Sequence, residues 1–209
     1  MQRKKNRKKV RKLRKKATRL RKLLAKIRKN VKGYYRRFQT YRYRVPVMIA
    51  VVCLLWFYAC PEPTIVPVRG AHTTDWESDY FWDCPWCTRY EKHMGIDIIK
   101  DAGTPVVAST HGMIVYKGWF GKYGKVVILV SPKVRIHLYG HLNRQVESFN
   151  PFARQGSVIG LVGSTGLSDL PHLHYTIVSV LPHFWRFEIT NRGWLKMFFL
   201  NPDDIMEQP

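Results

Sequence analysis

Two imidazoles one residue apart, His172 and His174, stand at the head of a stretch that reads as a β-strand, residues 173–180. Side chains of a strand alternate between its faces, so both rings project to the same side. Upstream, His93-Met94-Gly95-Ile96-Asp97 supplies a further imidazole and a carboxylate. With one histidine of the pair, these make the ligand set of a zinc site that keeps a coordination position open. The chemistry of such a site is metal-assisted hydrolysis. A Lewis acid polarises a carbonyl and lowers the pKa of water, and a neighbouring base takes the proton.

Positioning these groups falls to short, glycine-punctuated elements. Eleven of the fourteen glycines lie between Gly95 and Gly166, separating β-rich runs at 105–108, 113–117, 126–130 and 158–162. Several short strands with glycine turns predict an antiparallel sheet fold, and no long helix is expected in this part of the chain. Residues 181–200, rich in Trp185, Trp194, Phe198 and Phe199, are expected to pack under the core, with an extension of the groove wall as the alternative.

His93-Met-Gly-Ile-Asp97-Ile, Gly103-Thr-Pro-Val-Val-Ala108, Tyr139-Gly-His141-Leu, Ile159-Gly-Leu-Val-Gly-Ser-Thr-Gly166 and Pro171-His-Leu-His174-Tyr follow one another in this order. In that order and spacing the chain resembles the lysostaphin/LytM-type zinc endopeptidases, which cut peptide cross-links in bacterial cell walls. The resemblance covers roughly residues 90 to 205. It implies a mainly β, compact antiparallel sheet or sandwich-like peptidase domain at 90–209, with the metal in a groove. It further implies that His93, Asp97 and His174 bind one Zn2+ per chain. His141 and His172 then act on water and on the developing oxyanion, and which of the two is the general base stays open. The substrate implied is peptidoglycan.

The remaining histidines fall off the family's active positions. His111 and His137 are read as structural or groove-lining, although His137, at even spacing from His141, can share its face; His72 and His183 have no assigned role. Two departures from the family pattern stand out. Tyr175-Thr176 occupies a place where many relatives have an aromatic residue followed by Glu, and Ser168-Asp169-Leu170 replaces the more usual small residues before Pro171. The second borders the groove and bears on substrate preference.

Charge divides the chain independently of any motif. Residues 1–44 hold 22 of the 36 Lys and Arg and no acidic residue, so the net charge of +22 belongs wholly to this tail and the rest of the chain is balanced. At about 165 residues, that remainder is long enough for one hydrophobic core. Val10, Leu13, Ala17, Leu20, Leu24, Ile27 and Val31 recur at three- and four-residue intervals, an apolar helical stripe that Gly33 is expected to end. Arg14, Lys16, Arg21 and Arg28 flank the stripe and would repel a second parallel copy. An anionic surface suits it better, and inner-leaflet lipid headgroups are the nearest one. Nucleic acid is the alternative partner for the same charge.

Residues 45–60 carry no charge and predict a single transmembrane helix. Tyr41, Tyr43 and the snorkelling stems of Arg42 and Arg44 extend this short span. A 44-residue basic leader and Phe57, where a small residue is required, speak against a cleaved signal peptide. Placement by the positive-inside rule puts the tail in the bacterial cytoplasm and the peptidase domain in the periplasm or outer envelope space. Between them, 61–89 reads as a proline-bearing linker followed by a loop with Cys84-Pro-Trp-Cys87, for which a local disulfide is expected outside the membrane.

The sequence therefore points to a membrane-anchored zinc endopeptidase acting on peptidoglycan. A non-catalytic envelope protein that regulates other wall hydrolases is the alternative from another class, and the complete set of five residues favours the enzyme.

Overall fold

The computed structural model describes residues 2–59, 61–76, 80–82, 92–147, 150–190 and 192–206. Cys84 and Cys87, with the disulfide expected between them, lie outside the described residues. The chain divides into two compact units, 1–60 and 61–209.

The first unit is one helix, α1 (Gln2–Ala59). Its 58 residues correspond to about 87 Å at 1.5 Å per residue. Contrary to expectation, Gly33 does not end it. A lone glycine costs only about 1 kcal/mol against alanine, and Tyr34 to Thr40 supply neither a proline nor a capping turn to stop propagation. Thr18 and Thr40 return their hydroxyl hydrogens to the carbonyls of Arg14 and Arg36, so neither competes with the helix for a backbone N–H. Part of α1 is long and apolar enough to cross a membrane, by length and composition.

The second unit is antiparallel β. Its larger sheet joins β1 (Ile96–Ile99), β9 (His172–Ser179), β5 (Arg135–Gly140), β4 (Lys125–Val130), β3 (Gly112–Trp119) and β7 (Phe152–Ala153) in that order, with β10 (Phe199–Leu200) also pairing β9. A smaller sheet joins β2 (Pro105–Val107), β8 (Val158–Leu161) and β6 (Arg144–Gln145). Ile96, Ile98, Leu129, Tyr139, Leu173, Tyr175 and Ile177 from the larger sheet share one buried cluster with Val106 and Ile159 from the smaller, and Leu142 and Val162 join it. Truncating one of these aliphatics to alanine is a cavity-forming change of about 2–5 kcal/mol.

Residues 61–69 run along the smaller sheet. Ile65 N donates to Ser109 O (2.9 Å), Val107 N to Pro67 O (2.8 Å) and Arg69 N to Pro105 O (3.1 Å), while Val68 forms a bridge with Val106. Prolines suit this strap because an edge segment has backbone nitrogens that need no ladder partner. At its start, Glu62 is buried against Arg135 (Oε2 to Nη1, 3.2 Å).

Candidate active site

Strand register builds the site. Asp97 in β1 lies directly opposite His174 in β9, and Gly140 of β5 lies opposite His174 on the other side. His93, four residues before Asp97, reaches the same place from the approach to β1, where Trp82 N bonds His93 O. The result is a tight triad. Asp97 Oδ1 is 2.7 Å from His174 Nδ1, Asp97 Oδ2 is 3.2 Å from His93 Nε2, and the two ring nitrogens are 3.2 Å apart.

Whether a metal suits this triad is a matter of donors and tautomers. Three ligands held at about 2.0–2.1 Å around a tetrahedral ion lie roughly 3.3 Å from one another, close to the spacing found. The far nitrogen of each histidine is occupied: His93 Nδ1 is 3.1 Å from Tyr80 O, and His174 Nε2 is 2.9 Å from Thr176 Oγ1. Such contacts place the lone pairs of His93 Nε2 and His174 Nδ1 on the shared centre. The donor set of two imidazoles and one carboxylate fits zinc with a position left open.

Burial acts on the ring and the carboxylate in one direction, towards neutrality. For Asp97 it is outweighed by the adjoining His174 and His93 rings, which hold the carboxyl far below its ordinary value. For His174 burial dominates and lowers its pKa, keeping the imidazole neutral and able to ligate. Gly95 has its own reason to be there. A Cβ at that position would meet Tyr175 O at 2.5 Å, Thr176 Oγ1 at 2.7 Å and His174 Nε2 at 2.9 Å, so any side chain would press on the hydrogen bond that orients His174.

Two further histidines stand beside the triad, their ring centroids 4.6 Å apart. His172, two residues before His174, occupies the same strand face, with Nε2 3.6 Å from Asp97 Oδ1 and Nδ1 2.9 Å from Leu170 O. His141 arrives differently. β5 ends at Gly140, and His141 adopts φ 59°, a left-handed conformation that costs a non-glycine residue roughly 1–3 kcal/mol. Its Nδ1 donates to Thr165 O (2.7 Å), leaving Nε2 for the groove, and burial pushes its pKa down to about 4. Tyr123 packs on His174, ring centroids 5.0 Å apart. The groove, about 770 Å³, is lined by these groups together with Tyr80, Lys122, Leu167 and Asp169.

The left-handed residue separates His137 from His141. Even spacing allowed a shared face, yet His137 lies on the core side of β5, with Nδ1 2.8 Å from the Tyr175 hydroxyl and Nε2 3.6 Å from Glu62. Ser109 Oγ ties the Tyr139 and Tyr175 hydroxyls together at 2.7 and 2.6 Å. His137 is thus structural and not groove-lining. His111 accepts a hydrogen bond from Gln155 N, His72 caps a short turn, and His183 is buried against Trp185, all away from the groove.

Five contributors to the site escaped the sequence reading: Tyr80 O, Thr165 O, Leu170 O, the Tyr123 ring and the part played by Thr176. Only Thr176 had a signal, being two residues beyond His174 on the same strand face. The carbonyls are groups every residue carries.

Comparison with known proteins adds a second line of observation. Residues 91–182 match peptidase family M23. The chain is 46% identical over 83 residues to the DD-carboxypeptidase/endopeptidase Mpg of Neisseria meningitidis serogroup B, covering 40% of this chain and 19% of that protein. It is 31% identical over 91 residues to the peptidoglycan DD-endopeptidase ShyC of Vibrio cholerae, covering 44% of this chain and 21% of that protein. The matched region therefore spans about a fifth of the length of these relatives. Among solved structures, the catalytic domain of the antimicrobial peptidase lysostaphin from Staphylococcus simulans is 34% identical, covering 42% of this chain and 67% of that one with a TM-score of 0.40. Through residues 91–182, the chain belongs to peptidase family M23.

Proposed function

We propose that the protein is a membrane-anchored zinc endopeptidase that hydrolyses peptide stems or cross-links of bacterial peptidoglycan. The observation that carries this reading is the convergence of His93, Asp97 and His174 on one centre, with His141 and His172 paired beside it in an open groove. Similarity to the peptidoglycan DD-endopeptidase ShyC and to the DD-carboxypeptidase/endopeptidase Mpg supports the substrate class. His93 Nε2, an Asp97 oxygen and His174 Nδ1 would hold the zinc, which when bound supplies Lewis acidity towards water and the scissile carbonyl. His141 and His172 each tie Nδ1 to a backbone carbonyl and keep Nε2 for the reaction. One takes a proton from the attacking water and passes it to the departing amine. Its neighbour, when protonated, donates a hydrogen bond from Nε2 to the oxyanion. Tyr123 and the buried sheet behind His174 keep bulk water from the ligand nitrogen. In this reading α1 crosses the inner membrane, with the basic tail on anionic lipid in the cytoplasm and the peptidase unit in the periplasm.

The test is zinc content and wall digestion by the full chain, beside His174→Ala and His172→Ala. Insoluble peptidoglycan is the substrate, and mass spectrometry reads what is released. The expected result is about one zinc and new peptide ends for the wild type, loss of metal in His174→Ala, and retained metal without turnover in His172→Ala. A wild type that holds zinc and releases nothing would replace the enzyme reading with that of a regulator of other hydrolases.

A further inference from the structure

His141 holds a backbone conformation that its residue type disfavours. β5 ends at Gly140, and φ 59° at His141 lies in the left-handed region, which a non-glycine residue keeps only where the surrounding contacts over-determine it. Those contacts converge on Thr165. Its hydroxyl donates to Leu142 O (2.8 Å) and accepts from Lys125 N (2.9 Å), so one oxygen ties the residue after His141 to the first residue of β4. The carbonyl of the same residue accepts from His141 Nδ1 at 2.7 Å, and its N–H bonds His141 O at 3.4 Å. Thr165 thus grips the strained residue by its ring and by its main chain.

The turn leading into β4 closes the bracket from the other side. His141 N donates to Tyr123 O (2.8 Å) and Leu142 N to Lys125 O (3.0 Å). Gly124, between these two acceptors, has φ 64°, and a Cβ there would meet the Thr165 carbonyl carbon and oxygen at 2.4 Å and Oγ1 at 2.5 Å. Glycine is what lets the turn press this closely on Thr165. A side chain of the same shape at 165 without the hydroxyl would take a hydrogen-bond partner from both Leu142 O and Lys125 N, and a buried group left without its partner is costly.

What the bracket secures is the chemistry at Nε2. With the Nδ1 hydrogen spent on Thr165 O, the neutral ring carries its lone pair on Nε2, in the groove, with its centroid 4.6 Å from that of His172. A residue 141 relaxed to negative φ would resume the strand alternation and carry its ring away from His172. We propose that Thr165 is a positioning residue for the reaction: its hydroxyl locks His141 in the left-handed conformation, and its carbonyl fixes the tautomer that presents Nε2. Thr165 lies behind the groove and acts only through His141. The proposal rests on the zinc endopeptidase reading above.

The test uses the detergent-solubilised full chain loaded with zinc. Thr165→Val and Thr165→Ala remove the hydroxyl with and without the bulk kept, and Thr165→Ser keeps it. Turnover of a soluble cross-linked peptidoglycan fragment gives kcat and KM, while nitrogen NMR of histidine-labelled protein reads the His141 ring, assigned by its loss in His141→Ala. Thr165→Val and Thr165→Ala are expected to retain zinc, to lower kcat about 10-fold or more with KM within about twofold, and to lose the Nδ1–H signal of His141. In Thr165→Ser the signal returns and kcat recovers to within about threefold of wild type. An unchanged kcat and ring signal in Thr165→Val would overturn the proposal. Equal losses in all three variants, or loss of zinc along with kcat, would overturn it too, since either is the pattern of general packing. A wild type without turnover would defeat the peptidase reading alone, and the ring signal would still decide Thr165: retained in Thr165→Val it removes the lock, lost there and restored in Thr165→Ser it upholds it.

Discussion

A histidine ligand is only as good as the group behind it, and behind His174 stands Thr176. The hydroxyl 2.9 Å from Nε2 offers an acceptor for that ring's N–H, which leaves Nδ1 bare towards Asp97 and His93. A hydroxyl is a weaker acceptor than the carboxylate many relatives are expected to have there, so it orients the ring while raising its basicity less. Thr176→Val keeps the shape and removes the acceptor. Zinc affinity, measured by competition with a chelator, is expected to fall about 10- to 100-fold while circular dichroism stays unchanged. Affinity within twofold of wild type would reduce Thr176 to packing. The residue types of the site were legible because histidine and aspartate announce themselves at even strand spacing. Its backbone acceptors, Tyr80 O for His93 and Thr165 O for His141, were not.

At the level of elements, the 61–69 strap and β5 meet in the buried pair Glu62–Arg135, with His137 at 3.6 Å. Burial alone would raise the Glu62 carboxyl. The neighbouring His137, Ser131 and Arg135 outweigh it and hold the carboxyl below the ordinary 4.5. The folded protein then binds this proton less readily than the unfolded chain does. The stabilisation is therefore complete above the unfolded value and is lost as pH falls through the lower folded one. Melting of the detergent-solubilised full chain should decline below about pH 4.5, with a shallower decline in Glu62→Gln. At pH 7, Glu62→Ala leaves the Arg135 guanidinium buried without its partner, a loss of about 3–5 kcal/mol. An unaltered melt in Glu62→Ala would show that the strap is held by its backbone bonds alone. Short strands separated by glycines were readable as antiparallel β, but the strap was read as a linker, because prolines mark equally a free segment and an edge strand.

On the scale of the whole molecule, a continuous basic helix and a balanced β unit are two electrostatically distinct bodies on one chain. A peptide of residues 2–44 is expected to bind phosphatidylglycerol vesicles, to ignore phosphatidylcholine ones, and to release as salt rises from about 0.1 to 1 M and the Debye length shrinks from about 10 to 3 Å. Sedimentation with vesicles reads this directly. Binding to duplex DNA that outcompetes the anionic vesicles at equal charge would move the tail's partner to nucleic acid.

By itself the sequence determined what is local: which residues can ligate or shuttle protons, the two-residue period that puts His172 and His174 on one face, and the break in charge after Arg44. Tertiary structure decided what depends on partners far along the chain. Asp97 meets His174 across 77 residues because β1 and β9 pair in one register. His141 turns into the groove, and His137 away from it, because a left-handed residue resets the alternation at the end of β5. Phe184, Trp185, Phe187 and Trp194, in the stretch expected to pack under the core, stay exposed, while Tyr139, Tyr175 and their aliphatic neighbours fill the space between the sheets. Residue type and period travel with the chain, whereas register, backbone handedness and the capacity of a core are settled only when distant segments pack.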